Sequence, residues 1–244
     1  MDVYNELMKY PIFTIYEVDK LTGNLKTAYY QLEQLMKKGL VKKIRNTIYS
    51  PVNQKDGNIN ASRYQIACAI TDTAYISHHS AFEYYGLTDK VLDEVYVSSE
   101  TKYNHFKYDS VTYKYIASRM REGVKDEMLS SGIRITDLER TVIDSIHDYD
   151  KTGGFKELIT CLEGISYLDE LKLLRYLEVY NIQGLYQRVG YLLKYFQKDM
   201  KISNEFINCC KDKIGKSRRY LDNEAIEDSH YDSEWELMVP TRFL

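Results

Sequence analysis

The chain has 244 residues, enough for two ordinary domains that each bury a core of their own. Hydrophobic residues make up 44% and charged residues 28%, which excludes a disordered chain. No run approaches the roughly 18 uninterrupted apolar residues of a membrane span.

The net charge of −3 conceals an asymmetry, because residues 1–52 carry eight Lys and Arg against five acids. A basic head on an acidic body is the pattern of nucleic-acid binding confined to one end of a chain. The opening residues MDVYNELMKYP lack the basic and apolar regions of a signal peptide, so a cytoplasmic location is expected. Four sparse cysteines (Cys68, Cys161, Cys209 and Cys210) contain no C-x-x-C pair, which argues against a zinc or redox motif. No metal or cofactor is expected.

In chain order, a helical period runs from Val3 to Tyr10 and stops at Pro11. Thr14 can cap a second helix with Ile15, Val18 and Leu21 on its apolar side. After the Thr22-Gly23-Asn24 turn a long helix is predicted from Leu25 to about Lys38, terminated by Gly39. Leu40–Ile44 and Ile48–Val52 read as short strands around Arg45-Asn46-Thr47. Three helices and a hairpin in some fifty residues is the order of a winged helix–turn–helix. Asn53–Asn60 is polar and Gly-containing and reads as a linker. Beyond it the chain predicts a helix over about 61–71, strands at Glu94–Ser98 and Val111–Ile116, and a capping box at Thr136–Glu139 opening a helix through His147. Helical periodicity then runs from Phe155 to about Phe196, and the C-terminus returns to short strands. The expected class is α+β: a winged helix over 1–52, a linker over 53–60 and a mixed α/β domain over 61–244.

At 100° per residue, Leu25, Ala28, Leu32, Leu35 and Met36 of the long helix form a packing stripe. Thr27, Tyr30, Gln31, Gln34 and Lys38 fall opposite. That outer face offers amide, hydroxyl and phenol groups able to hydrogen-bond base edges. Asn24, Lys26, Thr27, Tyr30 and Gln31 occupy the first turns, the part of such a helix that lies deepest in the major groove. Lys37, Lys38, Lys42, Lys43 and Arg45 would neutralise flanking phosphates. Winged helices also serve as protein–protein adaptors, so that alternative stands beside DNA binding.

The string YISHHSAFEYYGLT (Tyr75–Thr88) holds two histidines beside two serines, but no G-x-S-x-G elbow or H-E-x-x-H spacing. It reads as a helix start capped by Ser77 or Ser80 and ended by Gly86, and no catalytic residue is assigned.

The winged-helix segment with GLVKKIRNTIYSP, then AYISHHSAFEYYGLT, EVYVSS and GIRITDLERTVIDSI, resembles the AbiE-type (abortive infection) antitoxins and related transcriptional regulators. The later QGLYQRVGYLLKYF and SEWELMVP segments resemble that family too. The resemblance implies a two-domain antitoxin that represses its own operon by binding inverted repeats near its promoter. It implies a nucleotidyltransferase-fold toxin as functional partner, without a stable complex being required, and DNA contacts from Asn24–Lys38 and Lys42–Arg45. It also implies that Leu138–Asp144 is a framework helix. One departure is Thr47 before Ile48-Tyr49, where such hairpins often carry glycine; Asn46 can supply the left-handed residue instead. Arg140 and Asp144 are spaced for an exposed pair worth about half a kcal/mol. Lys211, Lys213, Lys216, Arg218 and Arg219 read as a solvated turn compensated by the acids of Asp222–Asp228.

Overall fold

The structure, a computed structural model, describes residues 2–128 and 132–241. Its described residues form a mixed α+β chain, and none of its helices is long and apolar enough to cross a membrane. The chain groups into two compact units. The first comprises Met1–Ile76, Asp93–Ala117 and Asp126–Arg134; the second comprises Ser77–Leu92, Ser118–Lys125 and Ile135–Leu244. This grouping is drawn differently from the sequence division near residue 52, because the first unit gathers strands from three separate stretches of chain.

The first unit opens with α1 (Val3–Leu7), α2 (Ile15–Thr22) and α3 (Leu25–Lys37), followed by the hairpin β1 (Val41–Arg45) and β2 (Ile48–Pro51). Thr14 caps α2 in a full capping box with Glu17. Leu7, Phe13, Val18, Ala28, Leu32, Leu35, Val41 and Tyr49 pack into one small core. Tyr4 anchors α1 by donating its hydroxyl to the Val52 carbonyl at 2.7 Å. The expected linker is a folded turn: Asn53 N donates to Asn58 O, Gly57 N to Asn53 O and Asn60 N to Pro51 O.

Next come α4 (Arg63–Ala69) and a six-stranded sheet of β3 (Tyr75–Ile76), β4 (Glu94–Ser99), β5 (Phe106–Tyr108), β6 (Val111–Ala117), β7 (Val124–Asp126) and β8 (Arg134–Thr136). Their order is β5-β6-β4-β3-β8-β7, with β4 and β6 parallel. Arg134 closes the end of α4, its guanidinium donating to the carbonyls of Cys68, Thr71, Asp72 and Ala74. The Cys68 carbonyl lies in the last turn of α4, where a helix leaves acceptors without an intrahelical partner, and the Thr71 carbonyl also accepts from Ala74 N at 3.2 Å.

The second unit contains α5 (His78–Tyr84), α6 (Leu138–His147), α7 (Phe155–Glu163), α8 (Glu170–Tyr180), α9 (Gln183–Tyr195), α10 (Gln197–Met200) and α11 (Asn204–Asp212). A small sheet of β9 (Arg219–Tyr220), β10 (Ser229–Asp232) and β11 (Leu237–Pro240) completes it, in the order β10-β11-β9. α6 starts one residue later than the expected box: Asp137, not Thr136, caps it by accepting from Arg140 N at 2.9 Å. Thr136 is instead buried with its hydroxyl 2.8 Å from that of Thr141.

The expected surface pair is a second correction. Arg140 and Asp144 are 1% and 2% exposed and bonded at 2.6 Å. Arg140 also donates to Glu122 O, and Asp144 accepts from the Tyr180 hydroxyl. The i,i+4 spacing places the two side chains together but does not say which face of the helix is buried.

Trp235, 1% exposed, lies against Gly190 of α9, where an added Cβ would come within 2.2 Å of the indole ring. Gln187 on the same helix donates to the Trp235 carbonyl at 3.1 Å. Because the indole is locked between helix and sheet, Gly190→Ala should destabilise the chain by about 1–3 kcal/mol through overpacking, despite alanine's better helix propensity. Urea unfolding of the two proteins measures this, and an unchanged midpoint would show that the ring has room to move.

Candidate nucleic-acid interface

The turn between α2 and α3 is set by two residues. Gly23 adopts φ 68°, which closes α2, and Asn24 caps α3 by accepting from Lys26 N and Thr27 N at 3.0 and 3.1 Å. The Oδ1 of Asn24 is therefore engaged, and its amide nitrogen is the part left for another partner. Gly39 ends α3 at φ 71°, with Leu40 N bonded back to Leu35 O.

Ala28, Leu32 and Leu35 are the buried residues of α3. Leu25, expected in the packing stripe, is 51% exposed, and Met36 is half-buried. Met36 still packs against the core of the first three helices, so Leu25 alone leaves the stripe, and helical geometry turns the most exposed face toward Lys26, Tyr30, Glu33 and Lys37. Asn24, Lys26, Thr27 and Tyr30 remain exposed together along the first turns, whereas Gln31 and Gln34 sit half-buried on the flank. Tyr29 is also exposed, and Tyr16 of α2 is exposed with the Lys20 ammonium 4.4 Å from its ring centroid. Sequence reasoning missed both; their positions on the wheel beside Lys26 and Tyr30 were the available signal for Tyr29.

The cations fall into three groups. Lys37 is paired with Glu33 at 2.7 Å, which raises its pKa above the usual lysine value. Lys42 donates to Gly57 O at 3.2 Å. Lys26, Lys38 and Lys43 are exposed and form no ion pair among the described residues. Arg45 behaves differently from a phosphate-facing surface cation. Its guanidinium lies 4.7 Å from the Phe106 ring centroid and 5.3 Å from that of Tyr103, with Nη1 buried. It stacks within the first unit and braces the hairpin.

At the hairpin tip Thr47, not Asn46, takes the left-handed conformation, at φ 68°, and the register shifts between Lys43 and Arg45. A β-branched residue there is strained by about 1–2 kcal/mol. The shift permits the turn without the expected glycine.

The paired histidines lie in the second unit and are buried. His78 starts α5 at φ 53°, with Nδ1 2.9 Å from the Ser77 hydroxyl and Nε2 3.9 Å from Asp148. Burial pushes its pKa down to about 4 against the pull of Asp144 and Asp148. His79 lies between Glu83 and Glu157 at 3.9 and 3.7 Å, and burial lowers its pKa as well. No group of three or more possible ligands is arranged to hold a metal among the described residues. Gly86 ends α5 at φ 70°, as the sequence indicates.

No family model and no curated protein matches the chain. Among solved structures, the crystal structure of the Rv2827c protein from Mycobacterium tuberculosis is similar in fold. The TM-score is 0.67 at 13% identity, over 97% of this chain and 89% of that one. At that identity the likeness is one of fold alone: both chains share an α+β architecture along nearly their whole length.

A pH dependence follows from His78. The folded state holds it neutral while the unfolded chain binds a proton below about pH 6.5, so stability falls as pH drops from 6.5 to about 4. His78→Asn, which tolerates the left-handed backbone, should remove roughly 3 kcal/mol of that fall. Chemical denaturation at pH 7.5 and pH 4.5 tests it, and parallel profiles for the two proteins would contradict it.

Proposed function

We propose that residues 2–52 form a winged helix–turn–helix that binds double-stranded DNA, with α3 in the major groove and the β1–β2 hairpin as the wing. We further propose that the chain is an autorepressing antitoxin of AbiE type, acting in the cytoplasm against a nucleotidyltransferase-fold toxin and catalysing nothing itself. The observation that carries the DNA half is the joint exposure of Asn24, Lys26, Thr27 and Tyr30 on α3 with Lys38 and Lys43, cations that form no ion pair among the described residues. Hydrogen-bonding groups at the front of a helix and free ammoniums at its end and on the next strand suit base reading and phosphate neutralisation respectively. The antitoxin half is supported by the family resemblance of the sequence motifs.

A second reading is a protein–protein adaptor, favoured by the exposed Leu25, Tyr29 and Tyr30, whose apolar area suits a protein interface. Replacing Lys26, Tyr30 and Gln31 together separates the two: loss of DNA binding supports the first, loss of partner binding alone the second.

Gel shifts with the duplex upstream of the chain's own gene should show preference over random duplex, and equal binding to both would overturn the repressor reading. Tyr30→Ala should weaken specific binding by about 1–3 kcal/mol while leaving random-duplex binding nearly unchanged. Lys38→Gln with Lys43→Gln should weaken both kinds of binding and lower the log–log salt slope by about 1.8. Growth rescue on co-expression with a nucleotidyltransferase-fold toxin of AbiE type tests the antitoxin half, and a toxin left fully active would refute it.

A further inference from the structure

The second unit contains a cationic cavity that the DNA-binding reading does not use. It measures about 410 Å³ and is lined by His147, Ile182, Gln183, Gly184, Leu185, Arg188 and Arg219. Three elements bring positive or protonatable groups to it: α6 ends in His147, α9 carries Arg188 and β9 carries Arg219. Among the described residues, no carboxylate is part of its lining.

Hydrogen bonds hold Arg188 and His147, while Arg219 is exposed. Arg188 donates from Nε to the Tyr220 carbonyl at 3.1 Å, which leaves its two terminal nitrogens for another acceptor. Arg219 lies along Gly184, where an added Cβ would stand 3.7 Å from its Cγ. His147 is oriented by Asp148, with Nδ1 2.7 Å from the carboxylate and the ring 5.1 Å from that of Tyr180.

The electrostatics are unbalanced. Burial lowers the pKa of Arg188; Tyr149, Asp148 and Asp222 oppose that shift, and the nearby Arg219 adds to it. Those acids are engaged elsewhere: Asp148 is bonded to His147 and to Lys151 at 2.5 Å, and Asp222 accepts from Glu224 N. Neither arginine forms a salt bridge among the described residues. Two guanidiniums set near each other with no acid bonded to either repel, and an anion between them removes the repulsion while filling both planar forks.

We propose that this cavity binds the phosphoryl groups of a polyphosphate-bearing ligand. Arg188 and Arg219 clamp its oxygens, and His147 donates from Nε2 when protonated. The volume admits a nucleotide. The start of α9 adds to the same field, since its Gln183 and Gly184 amides face the helix end, but the two arginines carry the binding. The site belongs to the second unit.

Isothermal titration of the full chain with inorganic pyrophosphate, and separately with ATP, tests the proposal. Saturable binding is expected for at least one. Arg219→Gln should weaken it about tenfold or more, as should Arg188→Gln, and Arg219→Lys should fall between. Lys156→Gln, an exposed cation of α7 outside the cavity, should leave it unchanged. Arg219 is exposed, so its variants should melt like the parent without ligand and shift DNA exactly as the parent does. Tighter ATP binding identifies a nucleotide, and equal binding identifies the polyphosphate itself; either upholds the site. No saturation with either probe would overturn the proposal, as would equal losses in Arg219→Gln and Lys156→Gln.

Discussion

A guanidinium removed from water must have its charge and its donors met by the protein, and much of the second unit is arranged around one such group. Arg140 is almost fully buried on α6, and its Nε meets Asp144 one turn later. Its Nη1 reaches back to the carbonyls of Glu122 and Met120. Asp144 is answered in turn by the Tyr180 hydroxyl from α8. One charge pair therefore ties α6 to a preceding loop and a following helix. Breaking such a pair by removing one partner costs about 3–5 kcal/mol, mostly because the other charge is stranded. That asymmetry makes the group a strong constraint on the fold even where its net stabilisation is small.

Around this pair the rest of α6 is polar in a directed way. Asp137 caps the helix and accepts from the Tyr176 hydroxyl at 2.7 Å. Glu139 accepts from Asp169 N at 2.9 Å and faces Lys172. Gly123 passes so close that a Cβ there would stand 2.9 Å from the Cβ of Arg140. The helix is thus held to α8 by three acid-centred contacts at Asp137, Glu139 and Asp144. The LERTVID motif is legible as a packing device before any activity is considered.

How much of this the sequence announces depends on how local the signal is. The capping box of α2, the Gly23 and Gly39 terminators and the period of α3 are properties of four to fourteen consecutive residues, and they could be read directly. Burial is not local. Arg140 and Asp144 have the spacing of a surface pair, and only the packing of α8 and the loop at Met120–Glu122 reveals them as core. Arg45 has the sequence of a wing cation, but the rings that receive it lie some sixty residues further on. Leu25 was misassigned for the converse reason: it has the right phase but lies in the first turn of α3, where it stays 51% exposed. Correcting that one residue moves the exposed face of α3 and brings Glu33 toward its centre.

The same consideration decides which positive charges are available to a ligand. Lys37 and Lys211 look like members of basic clusters in the sequence, yet Lys37 is paired with Glu33, and Lys211 with Glu234 while lying over the Trp235 ring. Arg218 stacks on Tyr231. The acids of 222–228, expected to compensate the second cluster, are not the ones that do so for Lys211; that acid comes from the turn before β11. Among the described cations that form no ion pair, two small groups stand together. Lys26, Lys38 and Lys43 lie on an open helix face and strand, where spaced ammoniums suit the regular phosphates of a duplex. Arg188 and Arg219 share a cavity, where planar forks suit the oxygens of a compact anion. Residue type and geometry thus separate two kinds of phosphate recognition that net charge alone would merge.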